Sequence, residues 1–403
     1  MTPASRPNPA DMSVIGGAGH VGLPLAIAFA SNGQRVLIYD TNKIALEKIG
    51  AGSLPFMEHG AEPLLREALA KDRLLLSSDP SCLAGVPILI VTIGTPMDEF
   101  MNPSFPAMGR FIEELLPYLS DEQILILRST VYPGTTEWLD QYLRSKGKRL
   151  RLAFCPERIV QGFAIEELGK FPQIISGTTP EAEDLAAEIF LQIAPEIVLL
   201  KPKEAEFAKL FCNAYRYIQF AVTNQFYMMA NSAGSDYYRI LEGMKQNYSR
   251  MRDIPGAGFS AGPCLLKDTM QLTAFFNNEF SLGYTAMLVN EGLPLYIVDR
   301  IAQEHDLAKL TVGLLGMAFK ADIDDPRSSL SYKLKKVLLF RAKTVLATDP
   351  YVSEDSNLLP VDEVISRSDI VILCVPHSCY KHLDTQGKPV VDIWNFFGSG
   401  GRM

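Results

Sequence analysis

The sequence predicts an α/β protein: two Rossmann-like α/β domains joined by a long central helix and a helical middle domain. Three observations carry that reading. Over the first half of the chain, short β-branched runs alternate with helical patterns, the mark of a parallel sheet with crossover helices. From Glu204 to about Ala233 the pattern becomes one long, mostly apolar helix, too long for a crossover. Strand–helix alternation then resumes towards the C-terminus. The expected division is a flexible N-terminal extension over 1–11, a first Rossmann-like domain over 12–203, a central helical domain over 204–305 and a second Rossmann-like domain over 306–403.

The candidate strands of the first domain are Ser13–Ile15, Arg35–Tyr39, Pro87–Ile93, Gln123–Arg128, Leu150–Phe154, Gln173–Ser176 and Glu196–Leu200. Further helix is expected after Ser235 and from about Leu282 to Glu304, separated by the Pro/Gly-rich loop Ile254–Pro263. Thr311–Leu315, Val345–Thr348, Ile370–Val375 and Pro389–Ile393 read as the strands of the last domain. The central helix has more apolar surface than two flanking domains need, so a homodimer through it is expected. A plain interdomain core helix is the alternative.

The chain has 403 residues, enough for two or three domains with full cores. Its formal net charge of -8 argues against a general nucleic-acid binder, so an anionic substrate must meet locally placed Lys and Arg. No apolar run reaches the roughly 20 residues that span a bilayer, and no basic-then-apolar leader opens the chain. Cys82, Cys155, Cys212, Cys264, Cys374 and Cys379 show no paired spacing. That pattern fits reduced thiols in a cytoplasmic enzyme better than a disulfide framework or a metal site.

Gly17-Ala18-Gly19-His20-Val21-Gly22 follows a short apolar strand and opens a helix rich in Leu and Ala. In such a turn the first glycine makes the bend, the second lets backbone approach a pyrophosphate, and the third lets helix meet strand. The helix N-terminus offers N–H groups and a positive dipole to the phosphates. Asp40 ends the second strand, where a carboxylate binds a ribose 2′-hydroxyl and repels a 2′-phosphate, so NAD is expected over NADP. Thr95 and Thr130 close two further strands and are expected to face the dinucleotide, with simple turn capping as the alternative.

The loop Gly258-Phe259-Ser260-Ala261-Gly262-Pro263-Cys264-Leu265-Leu266-Lys267-Asp268 sets a thiol on a Gly/Pro turn, with a lysine and a carboxylate just beyond. A thiol beside a nicotinamide site can trap an aldehyde and carry it to a thioester. On the long helix, Lys209 and Asn213 are four apart and share a face. An ammonium and an amide there can steady an oxyanion; a solvated stripe with a capped amide is the bland reading. Glu157 closes another strand, either as a general base on water or as a salt-bridged glutamate.

These motifs, in this order, resemble the nucleotide-sugar 6-dehydrogenases of the UDP-glucose/GDP-mannose dehydrogenase family, from Met12 to about Phe397. The likeness rests on the glycine turn, Ile93-Gly94-Thr95-Pro96, Ser129-Thr130-Val131-Tyr132-Pro133-Gly134-Thr135-Thr136, Pro156-Glu157-Arg158, the Glu206–Lys209–Asn213 helix, the Cys264 loop, and Gly316-Met317-Ala318-Phe319-Lys320-Ala321-Asp322 before Asp325-Pro326-Arg327. The resemblance implies a four-electron oxidation of a UDP-sugar C6 hydroxyl to a carboxylate, through a Cys264 thiohemiacetal and thioester, with two NAD used in succession. It also implies that Lys209 and Asn213 steady oxyanions, that Asp268 works with a water and Thr130, and that Glu157 serves the hydrolysis. Lys320 matches a sugar-contacting lysine and Arg327 an arginine near phosphates. Gly258, Phe259 and Arg250 are expected at the substrate.

The Ala-Gly-Pro-Cys loop, Pro156-Glu157-Arg158-Ile159 and Val289-Asn290-Glu291-Gly292-Leu293-Pro294 are most similar to the branch acting on UDP-N-acetylglucosamine or UDP-N-acetylmannosamine, with UDP-glucose as the alternative substrate. There are departures: Leu266 stands where the family has Pro or Phe, Ser328-Ser329-Leu330 replaces Glu-Ser-Pro, and His20 replaces a common Tyr. Two other readings remain open. One is a hydroxyacid-type dehydrogenase that stops after one hydride, and the other is a non-catalytic NAD or nucleotide-sugar sensor.

Overall fold

A computed structural model describes residues 10–94, 104–398 and 401. The expected extension over 1–11 lies almost wholly outside the described residues. The chain divides into two compact units, Met1–Phe211 and Cys212–Met403.

The first unit is built on β1 Met12–Ile15, β2 Val36–Tyr39, β3 Leu74–Ser77, β4 Ile88–Val91, β5 Ile124–Leu127, β6 Arg151–Phe154, β7 Gln173–Gly177 and β8 Ile197–Leu199. They form one sheet in the order β3-β2-β1-β4-β5-β6-β7-β8. Strands β4 and β5 consist wholly of Ile, Leu and Val, and β1 is buried throughout, as suits strands with helices over both faces. One core contains Leu23, Ile27, Phe29 and Phe190, and the other Val91, Leu125 and Leu139.

Two features differ from the sequence reading. The strand β3 was not expected, since Leu74-Leu75-Leu76 is a helix-favouring run that only sheet pairing with β2 holds extended. The sheet is also not wholly parallel: β7 runs antiparallel to β6. The connection between them holds only the one-turn helix Ala164–Leu168, not a full crossover helix.

The helix Pro202–Ser232 begins in the first unit and continues into the second. Tyr237–Lys245, Leu265–Phe275 and Ser281–Glu304 follow as helices. The strands β9 Thr311–Leu315, β10 Thr344–Thr348, β11 Ile370–Leu373 and β12 Val390–Val391 then pair in the order β10-β9-β11-β12, all parallel. Helices and sheet share a core through Tyr227, Leu241, Leu293, Ile297, Leu314 and Ile372. No helix among the described residues is long and apolar enough to cross a membrane.

Candidate active site

In the first unit the glycine turn is held from inside. Gly16 has φ +78, so the residue in the left-handed region lies one place before the expected motif. A Cβ on Gly17 would meet Val14 O at 2.7 Å, and one on Gly22 would meet Gly16 O at 2.6 Å and Thr92 Oγ1 at 2.7 Å. Both positions therefore need glycine for packing. A Cβ on Gly19 would meet only Gly16 O, at 3.5 Å, so its outer side is open to a ligand. This cradle fits a pyrophosphate at the start of the helix Gly22–Ser31, which Val21 caps. The His20 ring lies 3.9 Å from that of Phe56.

Asp40 supports the turn as well as ending β2. Its Oδ2 accepts from Ala18 N at 3.0 Å and its Oδ1 from Asn42 N at 2.9 Å. Thr92, which sequence reasoning did not single out, donates to Ile15 O at 2.9 Å and Gly16 O at 3.1 Å. Thr130 is half-buried just beyond β5. Thr95 lies outside the described residues.

Glu157 is a buried partner of Arg128 and does not stand open at its strand end. Its Oε1 accepts from Arg158 N at 2.7 Å and Ile159 N at 2.9 Å. Arg128 also donates to Gln173 Oε1 at 3.0 Å. Its apolar strand context hid this role: the only cue was a charged residue closing Ile124–Leu127. Glu206 on the long helix accepts from Gly134 N at 2.5 Å, Thr136 N at 2.8 Å and Thr136 Oγ1 at 2.6 Å. Burial pushes its carboxyl up, against those hydrogen bonds. It caps the helix Thr135–Ser145, while Lys209, one turn on, is half-buried.

In the second unit Cys264 is exposed and caps the helix Leu265–Phe275. Gly262 has φ +104, and its Cβ would sit 2.7 Å from Phe319. One turn beyond Cys264, Asp268 is buried, and its Oδ2 accepts from Asn213 Nδ2 at 2.6 Å. Lys267 Nζ lies 3.5 Å from the other oxygen. Arg327 donates to both oxygens of Asp325. The Asp325 carboxylate raises the guanidinium above its ordinary value against the effect of burial, and the nearby Cys264 adds to the rise, so thiol and cation are in electrostatic reach.

The loop entering Cys264 is clamped by residues that sequence reasoning missed. Gly258 donates to Asn224 Oδ1 at 2.9 Å and accepts from Asn224 Nδ2 at 3.0 Å. Asn224 also donates to Asn290 Oδ1, and Asn290 donates to Tyr217 O, each at 3.0 Å. Amides inside apolar helical runs were the available signal, because buried polar groups need partners.

The Phe259 side chain is part of the hydrophobic core, which leaves only its backbone for a ligand. Arg250 is exposed on the turn Ser249–Met251. Cys155 and Cys374 are buried, with the Cys155 thiol pushed up to about 12 by burial, while Cys212 and Cys379 are exposed. Among the described residues, no group of three or more His, Cys, Asp or Glu is placed to hold a metal ion.

Three models of one family match in succession. The NAD binding domain of the UDP-glucose/GDP-mannose dehydrogenase family matches residues 10–194, its central domain 203–292 and its UDP binding domain 313–399. The chain belongs to the UDP-glucose/GDP-mannose dehydrogenase family. As a member it is an oxidoreductase, an NAD-dependent UDP-sugar dehydrogenase. It is 28% identical over 380 residues to a UDP-N-acetyl-D-mannosamine dehydrogenase of Pyrococcus horikoshii, covering 91% of this chain and 90% of that one. It is 27% identical over 406 residues to an NDP-N-acetyl-D-galactosaminuronic acid dehydrogenase of Ralstonia nicotianae, covering 94% and 95%. A solved UDP-glucose dehydrogenase of Pyrobaculum islandicum superposes with a TM-score of 0.88 at 27% identity, covering 95% and 94%.

Proposed function

We propose that this dehydrogenase oxidises the C6 hydroxyl of UDP-N-acetylmannosamine or UDP-N-acetylglucosamine to the carboxylate, with Cys264 as the nucleophile. The observation that supports this most is the placement of an exposed thiol at a helix start, one turn from the buried Asn213–Asp268 pair. Helix N–H groups and the Arg327 guanidinium both favour a thiolate there. Bound NAD would supply the hydride acceptor for each of two oxidations. Gly17, Gly19 and Gly22 cradle its pyrophosphate, and Asp40 binds its ribose.

After the first oxidation the Cys264 sulfur bonds to the C6 aldehyde carbon as a thiohemiacetal. After the second, the carbon is a thioester. Water then breaks the C–S bond, releasing the carboxylate and returning the thiol. Lys209 and Asn213 steady the oxygen that gains charge at each addition. Asp268, with Thr130 and a water, exchanges protons with the C6 oxygen. For Glu157, already ion-paired to Arg128, the geometry supports orientation of the hydrolytic water more than free base chemistry. Lys320 takes the sugar nucleotide, and Arg327 neutralises phosphate.

The choice of an N-acetylhexosamine draws on the loop sequence and on the names of the relatives. The helix Pro202–Ser232 leaves Tyr215 63% and Met229 61% exposed, with Val222 and Phe226 also exposed. A homodimer covering this stripe, in a reducing cytoplasm, is part of the proposal. A panel of UDP-hexoses and UDP-N-acetylhexosamines, with reduced cofactor counted per sugar consumed, tests the reading. Two per sugar and a preference for an N-acetylated sugar are expected. One per sugar would make this an enzyme that stops at a single hydride.

A further inference from the structure

His377 is fully buried just beyond β11. Its Nδ1 accepts the backbone N–H of Asp322 at 2.9 Å. A backbone N–H only donates, so Nδ1 is the bare nitrogen and the proton sits on Nε2. Nε2 then donates to Asp349 Oδ2, 3.0 Å away. The imidazole is a neutral bridge between two backbone segments.

Asp349 holds the other end of the same stretch. Its Oδ2 also accepts from Met317 N at 2.6 Å and Ala318 N at 2.9 Å. The segment from Met317 to Asp322 is thus anchored at both ends by one Asp349–His377 pair, and Lys320 lies between the anchors. Asp322 sits in the left-handed region, with φ +56. A non-glycine residue keeps that conformation only where its surroundings hold it. Ser378 adds to the hold through its N–H and Oγ, 2.8 and 3.0 Å from Asp322 Oδ1. The segment follows β9 at the carboxyl ends of the parallel strands, where open α/β sheets take their ligands.

We infer that His377 is a positioning residue: acting through the Asp322 backbone, it fixes the Met317–Asp322 segment so that Lys320 meets the sugar nucleotide. The inference rests on the reading of Lys320 given above. The contrast between two substitutions tests it in the full-length protein. In His377→Asn the amide Oδ1 takes the place of Nδ1 and keeps the bond to Asp322. In His377→Gln the amide reaches Asp349 and abandons Asp322.

The His377→Gln change is expected to weaken UDP binding, read by calorimetry, and to raise the UDP-sugar KM, each about tenfold. The NAD KM should stay within about twofold, and His377→Asn should recover most of the loss. Equal losses in both variants, or an unchanged UDP-sugar KM in His377→Gln, would overturn the inference. Lys320→Ala separates the two readings: an unchanged KM there removes Lys320 from the substrate site, while the Asn–Gln contrast still decides the histidine. If His377→Gln does not fold, Ser378→Ala leaves the imidazole in place and removes one bond to Asp322. It should raise the UDP-sugar KM about threefold, and no rise would overturn the inference.

Discussion

Asn213 and Asp268 are joined by a 2.6 Å hydrogen bond between residues from different helices, both buried. The bond fixes the orientation of a carboxylate one turn from Cys264, and it spends one of the amide protons that would otherwise be offered to an oxyanion. The two side chains should therefore act as a unit. Asn213→Ala and Asp268→Ala are each expected to lower kcat by about 100-fold, and the double variant by much less than the product. The coupling energy should be about 1–3 kcal/mol. Strictly additive effects on kcat would show that the pair does not work together.

The Asp40 oxygens proposed to meet a ribose also receive the N–H groups of Ala18 and Asn42, at 3.0 and 2.9 Å. Asp40→Ala removes the support of the glycine turn along with the selectivity. The NAD KM should rise about tenfold or more, with no matching gain in NADP affinity. Asp40→Asn keeps an acceptor for Ala18 and should lose less. Steady-state KM values for both cofactors decide this, and a clean switch to NADP in Asp40→Ala would contradict it.

Much of the fold was legible because its signals are local. The strand and helix periods placed β1, β2, β4–β6 and the helix Pro202–Ser232 within a residue or two. The glycine turn, Asp40 and the Cys264 loop were visible as short patterns. The rest depends on partners far apart in the chain. Arg128 looked like the end of a strand until Glu157 was brought to it. Asn224 gives no sign of its role until Gly258 and Asn290 close on it. His377 had no local pattern at all, since Asp322 and Asp349 meet it only once β9, β10 and β11 are side by side. Phe259 sits inside the most informative motif, yet its ring serves the core.

Gly258 cannot carry a side chain where it stands. Its φ is +151, and a Cβ would lie 2.2 Å from Trp394 Cζ3. Gly258→Ala should displace the loop that leads to Cys264 and lower kcat by about 100-fold, since small misplacements of a reacting group are costly. NAD binding, measured by fluorescence titration, should not change. Adding Trp394→Ala separates the two causes. Partial recovery in the double variant identifies the clash, and no recovery identifies backbone strain. A fully active Gly258→Ala would show that the loop tolerates the shift.

Asp349 should set the acid limit of the second unit. Burial alone would push its carboxyl up, but the hydrogen bond from His377, the positive charge that this ring carries once it is protonated in acid, and the N–H groups of Met317 and Tyr351 outweigh burial and hold it down at about 2. The folded value lies below the ordinary aspartate value. The carboxylate therefore contributes stability that is complete above about pH 4 and is lost as the pH falls towards 2. The shift is worth about 2 kcal/mol. Glu58 and Glu206 act in the opposite sense, since burial raises both despite their backbone hydrogen bonds. Their contribution is complete below the ordinary glutamate value and fades as the pH rises through the raised one, so they do not produce the acid loss. Asp349→Asn, which cannot ionise, should be less stable at neutral pH and should lose little more between pH 4 and pH 2.5. Urea unfolding of both proteins across that range measures the difference, and parallel acid slopes would show that Asp349 is not the group that titrates.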